Sequence, residues 1–182
     1  MSHHKIVFSG PVGAGKTAAI AAVSDTPPIS TEARASDATR ELKSATTVAM
    51  DYGLIRLDGG EQIHLYGTPG QERFNFMWQI LSEGALGVVL LVANHRPQPL
   101  ADLRYYLDAF RPFIDQTRLA VGVTYMDQSA EPRLEDYHRT LADAGMKAPV
   151  FEVDARERRD VALLVQALLL SLDPGVDTGV AI

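Results

Sequence analysis

The stretch GPVGAGKT, positions 10 to 17, constrains this chain more than any other. Gly10, Gly15, Lys16 and Thr17 satisfy G-x-x-x-x-G-K-[ST], between an apolar run, Lys5 to Phe8, and a helical pattern, Lys16 to Val23. That placement is what phosphate binding requires. A glycine-rich turn holding Gly13 and Ala14 lets successive backbone N–H groups converge on a phosphate, and the helix behind it points its positive end at the same spot. Lys16 adds a mobile cation for the β- and γ-phosphates, and Thr17 offers a hydroxyl oxygen to Mg²⁺.

The rest of the chain alternates strand and helix patterns. Thr47 to Leu57 and Glu61 to Tyr66 read as strands joined by Asp58-Gly59-Gly60, a hairpin signal. Gly87 to Val92, Arg118 to Val123 and Val150 to Val153 read as buried strands. Leu100, Leu103, Leu107 and Phe110 repeat at helical spacing, and further helices are expected over Arg133 to Ala144 and Asp160 to Leu172. Ser24 to Thr46, with Pro27 and Pro28, reads as a long loop of the kind that carries function. The expected fold is α/β in three layers, with a mostly parallel six-stranded sheet carrying one antiparallel hairpin at its edge. A single domain over 1–172 and a flexible tail over 173–182 are expected.

Composition narrows the function classes. With 182 residues, 46% of them apolar and 22% charged, the chain suits one globular domain. A net charge of −6 argues against nucleic-acid binding and against anionic membrane surfaces, both of which need clustered Lys and Arg. With no cysteine, disulfides, thiolate metal sites, cysteine nucleophiles, prenylation and palmitoylation are excluded. The chain opens Met1-Ser2 rather than Met-Gly, and its most apolar run, Val161 to Leu172, falls short of the ~20 residues of a membrane span. A cytoplasmic protein without direct membrane insertion is expected. His3 and His4 read as a solvated polar leader rather than metal ligands.

Two further segments carry a family resemblance. TTVAMDYG, positions 46 to 53, is similar to the switch I segment of Ras-like small GTPases, and GTPGQERF, positions 67 to 74, resembles their D-x-x-G-Q-E switch II. Motifs continue in the same order to Asp154. Judged by TTVAMDYG, LYGTPGQERF and FMW, the chain most resembles bacterial Ras-like GTPases, of the actinobacterial conservon type and, more distantly, the gliding and polarity GTPases. The resemblance implies a P-loop G domain that binds GTP or GDP with Mg²⁺.

Carried over by position, Thr47 would place its hydroxyl on Mg²⁺ and its N–H near the γ-phosphate, with Thr46 an adjacent competitor. Gly70 would meet the γ-phosphate through its N–H, and Gln71 would orient the attacking water beside Lys16. Where the family reads N-K-x-D for guanine, this chain has Thr124-Tyr125-Met126-Asp127. Asp127 keeps the carboxylate that accepts two hydrogen bonds from guanine, and Tyr125 can cover the base by stacking. Asp154-Ala155-Arg156 resembles the final S-A-K motif, with the Ala155 N–H aimed at the base.

The main departure is Gly67, which stands where most small GTPases have a metal-holding aspartate. Asp51, on the neighbouring hairpin strand, is the candidate replacement; Thr47 and Asp51 lie about 13 Å apart along a straight strand, so both reach the metal only if Thr47 belongs to a loop that folds back. No arginine immediately precedes Thr47, and Arg73 reads as solvated or partner-facing. Slow hydrolysis, raised by a partner, is therefore expected. In FNFMWQIL, positions 74 to 81, Phe74, Met77, Trp78 and Leu81 share one helical face while Phe76 and Ile80 occupy another, either as a partner surface or as core. The resemblance implies a roadblock-type regulatory partner. Two alternatives stay open: a GTP-bound interaction module that hardly hydrolyses, and a P-loop ATPase or kinase.

Overall fold

The central strand of the sheet decides where everything else sits. In a computed structural model, which describes residues 3–30, 50–70 and 75–172, Gly87–Ala93 (GVVLLVA) is buried at every position. Only a strand covered on both faces by helices can be apolar throughout. Val89, Leu91 and Ala93 face one helical layer and Val88, Leu90 and Val92 the other.

In chain order the described elements are β1 (His3–Ser9), α1 (Lys16–Val23), β2 (Ile29–Ser30), β3 (Asp51–Arg56), β4 (Gln62–Gly67), α2 (Asn75–Ser82), β5 (Gly87–Ala93), α3 (Pro99–Ile114), β6 (Arg118–Thr124), α4 (Leu134–Asp143), β7 (Val150–Glu152) and α5 (Arg158–Leu170). The sheet runs β2-β3-β4-β1-β5-β6-β7. It is parallel except that β3 runs antiparallel to both β2 and β4. The α/β architecture is thus as expected, with one correction. Seven strands form rather than six, because Ile29–Ser30 adds an edge strand inside the stretch expected to be loop. Two residues carry no periodicity from which such a strand could be read.

Local chemistry explains the main elements. Asp58 to Gly60 closes the β3–β4 hairpin, with Leu57 N–H donating to Glu61 O at 3.0 Å and Gly60 N–H to Leu57 O at 2.9 Å. In α1, Ala19, Ile20 and Val23 are buried at helical spacing in one cluster with α5, whose Val161, Leu164, Val165 and Leu168 complete that layer. The opposite layer is built from α2, α3 and α4, with Trp78, Leu103, Tyr106, Leu107, Phe110, Tyr137 and Leu141 at its core. His3 and His4 are part of β1 rather than a free leader. β3 begins at Asp51, so the strand expected from Thr47 is shorter, and Thr47 itself lies outside the described residues.

The order of the strands selects the site. β1 lies between β4 and β5, so the chain leaves it first to one side and later to the other. In open α/β sheets the crevice at such a switch point, beyond the carboxyl ends of the strands, is where ligands bind. The ends of β1, β4, β5, β6 and β7 all open there, and antiparallel β3 brings its first residue, Asp51, to the same edge. Among the described residues no helix is long and apolar enough to cross a membrane.

Candidate nucleotide site

β1 ends at Ser9 and the chain turns at once into GPVGAGKT. Gly10 has a φ of 139°, and a Cβ there would sit 2.1 Å from Leu91 O, so only glycine lets the turn pass this close to β5. Gly15 precedes α1 in a left-handed conformation. Ala14 N–H closes onto Pro11 O at 3.2 Å, and Thr124 Oγ1 donates to Ala14 O at 3.0 Å, which braces the loop from the end of β6.

Lys16 is buried, with Nζ donating to Gly10 O at 2.7 Å and Pro11 O at 2.8 Å. Burial lowers its pKa to about 8; the Asp51 carboxylate opposes that shift and the Arg96 guanidinium adds to it. The ammonium is thus parked on the carbonyls of its own loop.

The opposite wall comes from the end of β4. Thr68 N–H donates to Phe8 O at 2.8 Å, and Thr68 Oγ1 donates to Ser9 Oγ at 2.9 Å. Gly70 then lies against the phosphate loop so closely that a Cβ would be 2.7 Å from Val12 N and 2.8 Å from Lys16 Nζ. Two side chains pin this segment from behind, Trp78 Nε1 donating to Pro69 O at 3.0 Å and Tyr106 OH to Gly70 O at 3.2 Å. Gln71, Arg73 and Phe74 lie outside the described residues, as do the side chains of Phe76 and Met77.

Asp51 answers part of the question that Gly67 raises. The two are direct partners across the antiparallel β3–β4 pair. A Cβ on Gly67 would lie 3.0 Å from Asp51 Cβ and 3.2 Å from Asp51 Oδ2, so the aspartate side chain fills the space a residue at 67 would use. Its Oδ2 accepts a hydrogen bond from Thr17 Oγ1 at 2.6 Å. Among the described residues no group of three or more His, Cys, Asp or Glu converges on a metal position. A hydroxyl and a carboxylate side by side suit an ion such as Mg²⁺, which keeps several waters and takes few protein oxygens.

At the other end, Thr124, Tyr125, Met126, Asp127, Asp154, Ala155 and Arg156 line a cavity of about 520 Å³. Tyr125 adopts a φ of 58°, uncommon for a residue with a side chain, and its ring meets His95 edge-on at 4.5 Å. Arg156 grips Asp154 with Nε at 2.9 Å and NH2 at 2.7 Å. That fork holds the Asp154 carboxyl down at about 2 and raises Arg156. The Asp154 carboxylate is therefore committed to Arg156, whereas Asp127 and Glu152 are exposed acids of the same cavity and Asp160 Oδ2 accepts from Asp154 N–H at 3.0 Å.

Of the expected residues, the structure gathers Gly10, Gly13, Ala14, Gly15, Lys16, Thr17, Asp51 and Gly70 at the phosphate end and Thr124, Asp127, Asp154, Ala155 and Arg156 at the other. Trp78 is core, not surface: it is 3% exposed and stacks on Tyr106 and Phe110 with ring centroids at 5.0 and 5.3 Å. Ile80, on the other face of α2, is exposed. Sequence reasoning missed Arg96, whose NH1 donates to Val12 O at 3.2 Å, and its partner Asp102. The available signal was an arginine three residues beyond a fully buried strand, where site loops begin.

A family described as "Conserved hypothetical ATP binding protein" matches residues 8–110. That span runs from the end of β1 through most of α3 and contains the phosphate loop, Asp51, Gly70 and Arg96. The protein belongs to this family. Nucleotide binding is the property the membership carries, in accord with the phosphate loop, Lys16 and Thr17. The matched residues stop short of Asp127 and of Asp154 to Arg156, so the loops that would read a base lie beyond them. No curated protein matches the chain.

Proposed function

We propose that this family member is a guanine-nucleotide switch: it binds GTP with Mg²⁺, hydrolyses it slowly to GDP and phosphate, and signals its state to a protein partner. The observation that carries the guanine reading is Asp127, an exposed carboxylate directly beyond the end of β6, in a cavity where Asp154 is held by Arg156. A carboxylate accepts from both the N1–H and the N2 amine of guanine; adenine has no N1–H to offer. The competing reading, ATP binding, is favoured by the family description, whose span includes Ala18 of this cavity but none of its base-reading candidates, Asp127 and Asp154 to Arg156.

The chemistry follows from the side chains present. Entering phosphates draw Lys16 Nζ away from Gly10 O and Pro11 O, two weak acceptors beside a polyanion. They also compete with Gly70 for the space beside Val12 N and Lys16. The Thr68–Gly70 segment must then shift, and its hydrogen bonds to Trp78 and Tyr106 pass the shift to α2 and α3. Such rearrangement of a loop by a terminal phosphate is a common form of switching. Thr17 and Asp51 would hold Mg²⁺, which supplies charge neutralisation at the phosphates. Thr47 is proposed as a further oxygen ligand and Gln71 as the group that orients water. A roadblock-type protein is proposed as the partner, raising hydrolysis by supplying charge in trans.

The test mixes purified protein with Mg²⁺ and equal GTP and ATP, and follows both retention and γ-phosphate release. Retained guanine nucleotide turning slowly to GDP, with preference lost in Asp127→Ala, is the expected result. Retention of ATP by the wild type would overturn the guanine reading, and GTP held intact would leave a binding module without hydrolysis.

A further inference from the structure

The loop after β5, Asn94 to Arg96, touches both ends of the site. Asn94 Oδ1 accepts from Tyr137 OH at 2.6 Å while its Nδ2 donates to Ser129 O at 2.9 Å, and His95 meets Tyr125. Arg96 turns the other way. Its Nε pairs with Asp102 Oδ2 at 2.5 Å, in the first turn of α3, and its NH1 donates to Val12 O in the phosphate loop. Arg96, Asp102, Val12, Gly70 and Tyr106 together line a recess of about 240 Å³ behind that loop.

We propose that Arg96 is a positioning residue for the terminal phosphate: anchored by Asp102, it fixes the Val12 carbonyl outward and adds a second positive charge behind the Lys16 and Gly70 end of the site. The inference rests on the nucleotide-binding reading but not on which base is bound. A guanidinium suits the task because its planar fork serves two acceptors at a fixed angle, which an ammonium cannot copy. Holding the Val12 carbonyl on the guanidinium keeps its lone pairs occupied, so that they do not oppose an anion on the N–H side of the loop. Arg96 and Lys16 donate to the same loop, at Val12 O and at Gly10 O and Pro11 O, so the guanidinium's field acts beside the group that reads the outer phosphates. Because that field is centred at the Gly70 end and away from the Asp127 cavity, it favours a triphosphate over a diphosphate.

The test is equilibrium binding of fluorescent GTP, GDP and ATP, with Mg²⁺, to full-length wild type, Arg96→Ala, Arg96→Gln, Arg96→Lys and Asp102→Asn. For whichever base is bound, removing the charge should lower triphosphate affinity roughly tenfold more than diphosphate affinity. Arg96→Gln guards against a folding defect in Arg96→Ala. Arg96→Lys should recover part of the triphosphate preference, and Asp102→Asn should show a smaller loss in the same direction. Equal losses for GTP and GDP, or no rescue by lysine, would reduce Arg96 to scaffolding and overturn the inference. A wild type that binds neither GTP nor ATP would instead sink the nucleotide reading beneath it, a distinct outcome.

Discussion

Moving one carboxylate across the β3–β4 hairpin is the sharpest test of the proposed Mg²⁺ site. Asp51 and Gly67 face each other in register, and a Cβ on Gly67 would come within 3.0 Å of Asp51 Cβ. In the absence of nucleotide, Asp51→Asn weakens one hydrogen bond, from Thr17 Oγ1 at 2.6 Å. Bonds to charged groups contribute about 1.5–3 kcal/mol, and partial exposure reduces this one to ~1 kcal/mol. That corresponds to a melting shift of about 2–4 °C. The effect on Mg²⁺ should be larger, because losing a carboxylate at or next to the metal typically costs 10–100-fold in affinity. Gly67→Asp alone should not help: the new side chain meets Asp51 and, at 3.0 Å, Ile20 Cδ1, and such overpacking costs about 1–3 kcal/mol. Combining Asp51→Gly with Gly67→Asp returns a single carboxylate to nearly the same space and should recover most of the lost affinity. The assay is a Mg²⁺ titration of fluorescent-nucleotide retention, with thermal unfolding of each variant alongside. If Asp51→Asn held Mg²⁺ as tightly as wild type while Thr17→Ala did not, Asp51 would have no part in the metal site.

Further expectations follow from other contacts. Lys16 has a folded pKa of about 8, below its usual 10.5, so between those values the unfolded chain holds the extra proton and stability rises with pH. Denaturant unfolding from pH 7 to 11 should show that rise in wild type and a flatter profile in Lys16→Met. Nucleotide binding near pH 9 should in turn take up a proton, seen calorimetrically as a binding enthalpy that depends on the buffer. Trp78→Phe keeps an aromatic ring against Phe110 but removes the donor to Pro69 O. A loss of about 1 kcal/mol, with faster hydrogen exchange around Thr68, is expected; Trp78→Ala should cost about 3–5 kcal/mol. Tyr137→Phe leaves buried Asn94 Oδ1 without its donor, which should cost about 1–3 kcal/mol in chemical denaturation and loosen the Ser129 end of the base loop.

Much of the fold could be read directly. α1 forms at Lys16–Val23 as its spacing predicts, and the apolar runs at Gly87, Arg118 and Val150 all become strands. These elements are long enough, or apolar enough, for a pattern to exceed chance. β2 was not legible because a two-residue strand exists only through its pairing with β3. The segment around Trp78 could not be assigned to core or surface from periodicity, since a helix apolar on two sides looks the same whichever side is covered. The structure covers the Trp78 side with α3 and leaves Ile80 exposed.

The phosphate loop is legible from residue order alone, because that motif is local: glycines, a lysine and a threonine do their work within one turn and the helix it starts. The chain's order of strands and helices likewise implied a mostly parallel sheet. What surrounds the loop depends on how distant segments pack. Asp51 reaches Thr17 from 34 residues away in sequence, and Arg96 reaches Val12 from 84. Neither relation leaves a trace in spacing, because each depends on which strands lie beside β1 and in what register. Register also makes Gly67 intelligible, for it leaves the space that the Asp51 side chain occupies.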